Sequence, residues 1–148
     1  MSDLHQYERR SAITSALKRL DHAAVARRCA LLTAAGLMGI AVVHLIDGPG
    51  SLSYELYIAI LELTLAAASV PLAIALVIRP VRDLWIAASE LVWLALGFYL
   101  ASRGTGLPGS TGDTGNWGQT LGATNIATEV AAIALAAWAL RHRHGEHP

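Results

Sequence analysis

Four ionisable side chains interrupt otherwise apolar runs of this chain: His44, Glu62, Glu90 and Glu129. Such groups are costly in hydrocarbon and usually face a helix-bundle interior or a water-filled cavity. At 1.5 Å per helical residue, Glu62 lies roughly 12 Å below the outer end of its run and Glu129 about as deep in its own. Glu90 lies about 9 Å from the start of its run, nearer the opposite face. His44 falls in the last turn of the first run. Glu62 and Glu129 are therefore expected in one layer. Helical spacing extends the set outward: Glu55 shares a face with Glu62, and Asn125 shares one with Glu129, bordered by Thr128. Arg103 ends the third run, and its long stem can reach toward these acids. The pattern predicts an outward-facing pocket of His44, Glu55, Glu62, Arg103, Asn125 and Glu129.

Three chemistries compete for that pocket. It can bind a cation or a protonated solute, since two carboxylates at one depth repel unless they share a proton or a cation. Within this reading His44, Glu62 and Glu129 offer nitrogen and oxygen ligands to a divalent metal. Alternatively, Glu62 or Glu129 pairs with Arg103 or His44 and ties helices together, a contact typically worth about 0.6 kcal/mol. Or Glu62, Glu90 and Glu129 are protonated and hydrogen-bonded without a ligand. Each acid alone suits a structural role as well as a functional one; the set favours a site.

Elsewhere the signals are weaker. His142, His144 and His147 form a His-rich tail that reads more readily as a solvated end than as a metal site. Asp113-Thr114-Gly115-Asn116 lacks the closing acid of a calcium loop. The loop glycines lack the Lys-Ser/Thr of a phosphate cradle, and no serine or cysteine nucleophile motif is present. A single histidine in the spans excludes a bis-histidine haem site within one subunit. These residues specify neither an enzyme class nor a cofactor.

The elements that must position the pocket follow from composition. Of 148 residues, 54% are hydrophobic and only 15% charged, below the roughly 25% of soluble domains. Net charge is zero, so nothing argues for nucleic acid. Ala is abundant and Arg outnumbers Lys, a bias that fits a GC-rich bacterial genome. One cysteine, Cys29, precludes an internal disulfide. No cleavable signal peptide is evident, because the first apolar run begins only after Arg27 and Arg28. Apolar runs over residues 29–46, 56–78, 84–101 and 121–140 each approach the ~20 residues that cross a bilayer as a helix.

Basic residues cluster before the first run, between the second and third (Arg79, Arg82) and after the fourth (Arg141, Arg143). Arg103 alone lies on the other side, so both termini are expected in the cytoplasm. Tyr54, Tyr57, Tyr99 and Trp117 are expected near the outer interface, Trp85 and Trp138 near the inner one. Trp93 fits neither belt.

Residues 1–27 form an expected separate cytoplasmic segment. Ile13, Leu17, Leu20 and Ala24 recur at helical spacing, suited either to lying on anionic lipid or to a partly ordered tail. Asp47 to Ser51 reads as a tight outer turn, and Ser102 to Thr120 as a long outer loop. Pro71 should kink the second span, with Ser69 satisfying part of the freed backbone. Ala35 and Gly39 permit close helix contact.

The stretch Tyr99-Leu100-Ala101-Ser102-Arg103, then Gly106-Leu107-Pro108-Gly109, Gly115-Asn116-Trp117, Gly122 and Glu129, resembles a group of small four-helix bacterial membrane proteins. These actinobacterial-type proteins have no assigned function. They share an outer-loop S-R-x-x-G-L-P-G segment followed by a Glu in the last helix. A His closing the first span, here His44, also fits. The resemblance covers the third span onward well and the first half loosely. It implies that Arg103 and Glu129 belong to one site and implies no activity. Gly104 departs from the pattern, where Thr or Val is more usual, and this loosens the turn.

The expected architecture is all-α: an antiparallel four-helix transmembrane bundle (residues 28–141), with a cytoplasmic amphipathic N-terminal helix and a tail over 142–148. The first expected function is binding or movement of a small cation, proton or solute by a multi-pass protein of the inner (plasma) membrane. A homo-oligomer is expected under this reading, because one four-helix subunit is narrow for a complete path. The alternatives are an accessory or assembly subunit of a larger membrane complex, and a metal-binding membrane enzyme or redox subunit.

Overall fold

The computed structural model describes residues 2–53, 55–118 and 120–143. It contains four helices: α1 (Ser2–Ser51), α2 (Leu56–Ile78), α3 (Arg82–Gly104) and α4 (Thr120–Arg143). Among the described residues there is no strand, only an isolated bridge between Leu107 and Ser110. Each helix contains a stretch long and apolar enough to cross a membrane.

The packing forms a ring. α1 lies mainly against α2 and then α4, and α3 lies against α4 and α2. α1 and α3 barely touch across the diagonal. The buried cluster gathers Leu37 and Ile40 of α1, Leu65 and Leu76 of α2, Trp85 and Val92 of α3, and Ala132 and Ala136 of α4. Small side chains set the spacing between α1 and α4. A Cβ added at Gly36 would stand 3.2 Å from the Ala132 methyl, and one at Gly39 would stand 3.3 Å from the Thr128 methyl. The close contact therefore uses Gly36 and Gly39, and Ala35 is exposed instead.

Three expectations change. First, no break in the helix sets residues 2–27 apart from the first span, because α1 runs unbroken for 50 residues, about 75 Å. The stretch from Ala23 to Arg28 contains only residues a helix tolerates, so nothing interrupts it. No described side chain before Cys29 is buried, so this part of α1 overhangs the bundle with Ile13, Leu17 and Leu20 exposed.

Second, Asp47 to Ser51 is helix rather than turn. Gly48 faces α2, where a Cβ would lie 3.2 Å from Leu63, and Pro49 takes away the amide that would bond the Leu45 carbonyl two residues before the helix ends. The chain reverses just beyond, where the Glu55 amide donates to the Ser51 carbonyl at 2.8 Å.

Third, Trp85 is fully buried and Tyr99 nearly so, whereas Trp93 is 58% exposed. Trp85 and Tyr99 therefore pack inside the bundle. Tyr54 and the tail histidines lie outside the described residues or side chains. At Pro71 the helix continues, and the Ser69 hydroxyl donates to Leu65 O at 2.7 Å, not to the carbonyl of Ala67 that proline frees.

Candidate functional site

The helices that pack closely at the Trp85 end enclose a cavity of about 570 Å³ at the other. Its wall combines the C-terminal end of α1, the N-terminal end of α2, the C-terminal end of α3 and Gly122 of α4. Leu107, Ser110, Gly112 and Asp113 of the loop between α3 and α4 complete the wall.

That loop is held by defined turns. Leu107-Pro108-Gly109-Ser110 forms a tight reversal in which the Leu107 amide donates to Ser110 O at 2.9 Å and the Ser110 amide to Leu107 O at 2.8 Å. Proline at the second position and Gly109 at φ +76° at the third are what a type II turn requires. The Tyr57 hydroxyl donates to Pro108 O at 2.5 Å, latching the turn to α2. At the far side of the loop, the Gly115 amide donates to Arg103 O at 2.8 Å.

Four of the six expected pocket residues line this cavity: His44, Glu55, Glu62 and Arg103. His44 is only 7% exposed, and neither Nδ1 nor Nε2 has a hydrogen-bond partner. The carboxylate of Glu62 accepts a hydrogen bond from the Ser51 hydroxyl at 2.9 Å. Glu55 lies against Gly109, where an added Cβ would stand 3.5 Å from its Oε1, an ordinary contact. Arg103 is 8% exposed; its Nη1 pairs with the Asp113 carboxylate at 2.5 Å, and its guanidinium lies over the Tyr99 ring at 5.4 Å. Trp117 meets Tyr99 edge to face at 6.3 Å.

Two expected residues stand differently. Glu129 is fully buried and does not line the cavity. It is also not level with Glu62. Thr128 packs at Gly39 of α1, whereas the Glu62 Cβ lies near Gly48, which separates the two acids by on the order of 13 Å along the helix axis. The expected shared layer fails because α1 continues as helix to Ser51, so Glu62 meets the end of α1 and not its middle. The side chain of Asn125 lies outside the described residues. Glu90 is exposed on the outside of α3, away from the site.

The metal trio expected from His44, Glu62 and Glu129 is not assembled. Among the described residues, no three His, Cys, Asp or Glu side chains are placed to hold a metal ion.

The structure adds Asp47, Ser51, Tyr99, Asp113 and Gly122 to the cavity wall. His44, Asp47 and Ser51 share a helix face by spacing, a signal hidden by reading the Gly-Pro-Gly stretch as a turn. Asp113 had no periodicity to reveal it. Gly122 packs directly on the Tyr99 ring, which occupies the space a Cβ would need.

The chain matches no protein-family model, no curated protein and no solved structure.

Proposed function

We propose that this is a multi-pass protein of the bacterial plasma membrane that binds a small cation or protonated solute in a pocket opening to the outer face. The four helices would cross the bilayer as an antiparallel bundle, with both termini cytoplasmic. Large apolar side chains such as Leu32, Ile46, Ile60, Ile74 and Leu94 point outward and are more than half exposed, a surface suited to lipid. Exposed Arg27, Arg28, Arg79, Arg82 and Arg141 gather at the end opposite the cavity, which supports the orientation.

The observation that carries the binding reading is His44. A buried imidazole with both nitrogens unmatched leaves hydrogen-bonding capacity unsatisfied, and a bound group can satisfy it. Around it, Asp47, Glu55, Glu62 and Asp113 face one guanidinium among the described lining residues, Arg103. When ionised, this wall attracts positive charge. Movement of the solute across the membrane extends the same reading and calls for a homo-oligomer.

The test is thermal unfolding of the full chain in mild detergent against sodium, potassium, magnesium and calcium salts and against protonated amines. At least one cation should raise the unfolding temperature, and Glu62→Gln should remove that rise. If no cation stabilises the protein, the reading fails.

A second reading draws on the exposed Ile13, Leu17 and Leu20 of α1: an accessory subunit that docks on a larger membrane complex. Recovery in mild detergent as a monodisperse species containing only this chain overturns it.

A further inference from the structure

Resting on the cation-binding reading, we infer that the ligand is a small organic cation bearing N–H donors, a primary ammonium or guanidinium on a short apolar body, rather than a bare inorganic ion. Three features of the cavity point there.

The first is size against spacing. About 570 Å³ falls in the range of pockets for small organic molecules. An inorganic ion needs several oxygens or nitrogens converging within about 2–2.6 Å of one point. The acidic groups here are instead spread around the wall, and no metal-holding trio forms among the described residues.

The second is polarity. The wall made by α1 and α2 is rich in acceptors: the imidazole of His44 and the carboxylates of Asp47, Glu55 and Glu62. The Ser51 hydroxyl already donates to Glu62, and Arg103 already holds Asp113. A ligand that supplies several N–H groups matches this wall. Glu62 would serve as counter-ion, and a neutral His44 would accept one N–H at an unmatched nitrogen.

The third is the opposite wall. Phe98 and Tyr99 of α3 present aromatic surface to the same space, and Val43 of α1 and Ile58 of α2 add apolar surface to the wall. A bare ion makes no use of such a surface. An alkyl body packs on it.

The experiment is isothermal titration of the detergent-purified full chain with n-butylammonium and n-butylguanidinium chlorides, after subtracting titration into empty micelles. Comparison ligands are tetramethylammonium (charge without N–H), n-butanol (body without charge) and magnesium, calcium and sodium chlorides. One of the butyl cations should bind, with tetramethylammonium and butanol weaker by about tenfold or more. Glu62→Gln and His44→Phe should each weaken binding by a similar factor. Asp47→Asn, at an exposed position on the cavity rim, keeps the test valid if His44→Phe does not fold, and it should weaken binding less. Tetramethylammonium binding as tightly as butylammonium overturns the inference. Binding of an inorganic cation without either butyl cation also overturns it, while leaving the cation-site reading standing. Binding of none of these ions overturns both.

Discussion

The two ends of the bundle solve opposite problems with similar helices. At the Trp85 end, Ala30, Ala34, Ala88 and Ala136 let the backbones approach, and Leu37, Leu76 and Trp85 fill the remaining space. At the cavity end the same helices carry Asp47, Ser51, Glu55, Glu62 and Arg103, and a turn-built loop takes over the closure. The first end is held by burial, which is non-directional and tolerant of sequence. The second is held by a few directional contacts that fix positions around an open space. One end should therefore govern stability and the other ligand response, and substitutions should separate the two.

The largest effect is expected at Trp85. It is fully buried, and Trp85→Ala should cost about 3–5 kcal/mol, as large-to-small changes in packed cores do. Thermal unfolding in detergent would show a large downward shift, while cation affinity of the folded fraction stays near that of the parent chain. A selective loss of affinity with little loss of stability would break the division of labour. Gly122→Ala comes next and links the two ends. Its Cβ would collide with the Tyr99 ring, so roughly 1–3 kcal/mol of overpacking strain is expected. Because Tyr99 also lines the cavity, binding should weaken along with stability. Unchanged binding in this variant would show that the ring relaxes away from the cavity.

How much of this was legible in the sequence follows the same division. The helical elements were readable because long apolar runs leave little choice, and α2 matches its expected bounds of 56–78. His44 and Glu62 were readable as candidates because an ionisable group in such a run usually faces an enclosed or wet environment, and Glu55 and Arg103 followed from helical spacing and from position beyond a run's end. Breaker residues misled. Gly48 and Pro49 suggested a turn, yet Gly48 is there for close contact with Leu63, so α1 extends and Glu62 moves away from the level of Glu129. Depth counted along one helix cannot reveal that shift, because relative level depends on where the neighbouring helix ends. Asp113 was unreadable for another reason: its role arises from loop turns that bring it back to Arg103 ten positions earlier.

Smaller effects refine the comparison within the loop. Gly109 holds φ +76°, so Gly109→Ala should cost on the order of 1–2 kcal/mol in backbone strain. Limited proteolysis should then cut the loop faster, with the helical core intact. Equal cleavage rates in the two proteins would argue that the Tyr57 latch alone holds the turn.

The smallest stability effect belongs to Asp113→Asn, and it separates the two ends most cleanly. The Asp113 side chain is 55% exposed, so its pairing with Arg103 should be screened and contribute below about 1 kcal/mol to stability. The unfolding temperature should hardly move. The charge balance of the cavity should move more, because the substitution removes one carboxylate from a wall whose only guanidinium, among the described lining residues, is Arg103. Cation affinity should fall, and the difference from the parent chain should shrink as salt screens the field. If stability instead falls as far as in Gly122→Ala, the Arg103–Asp113 contact is a structural clamp, and the loop belongs energetically with the packed end.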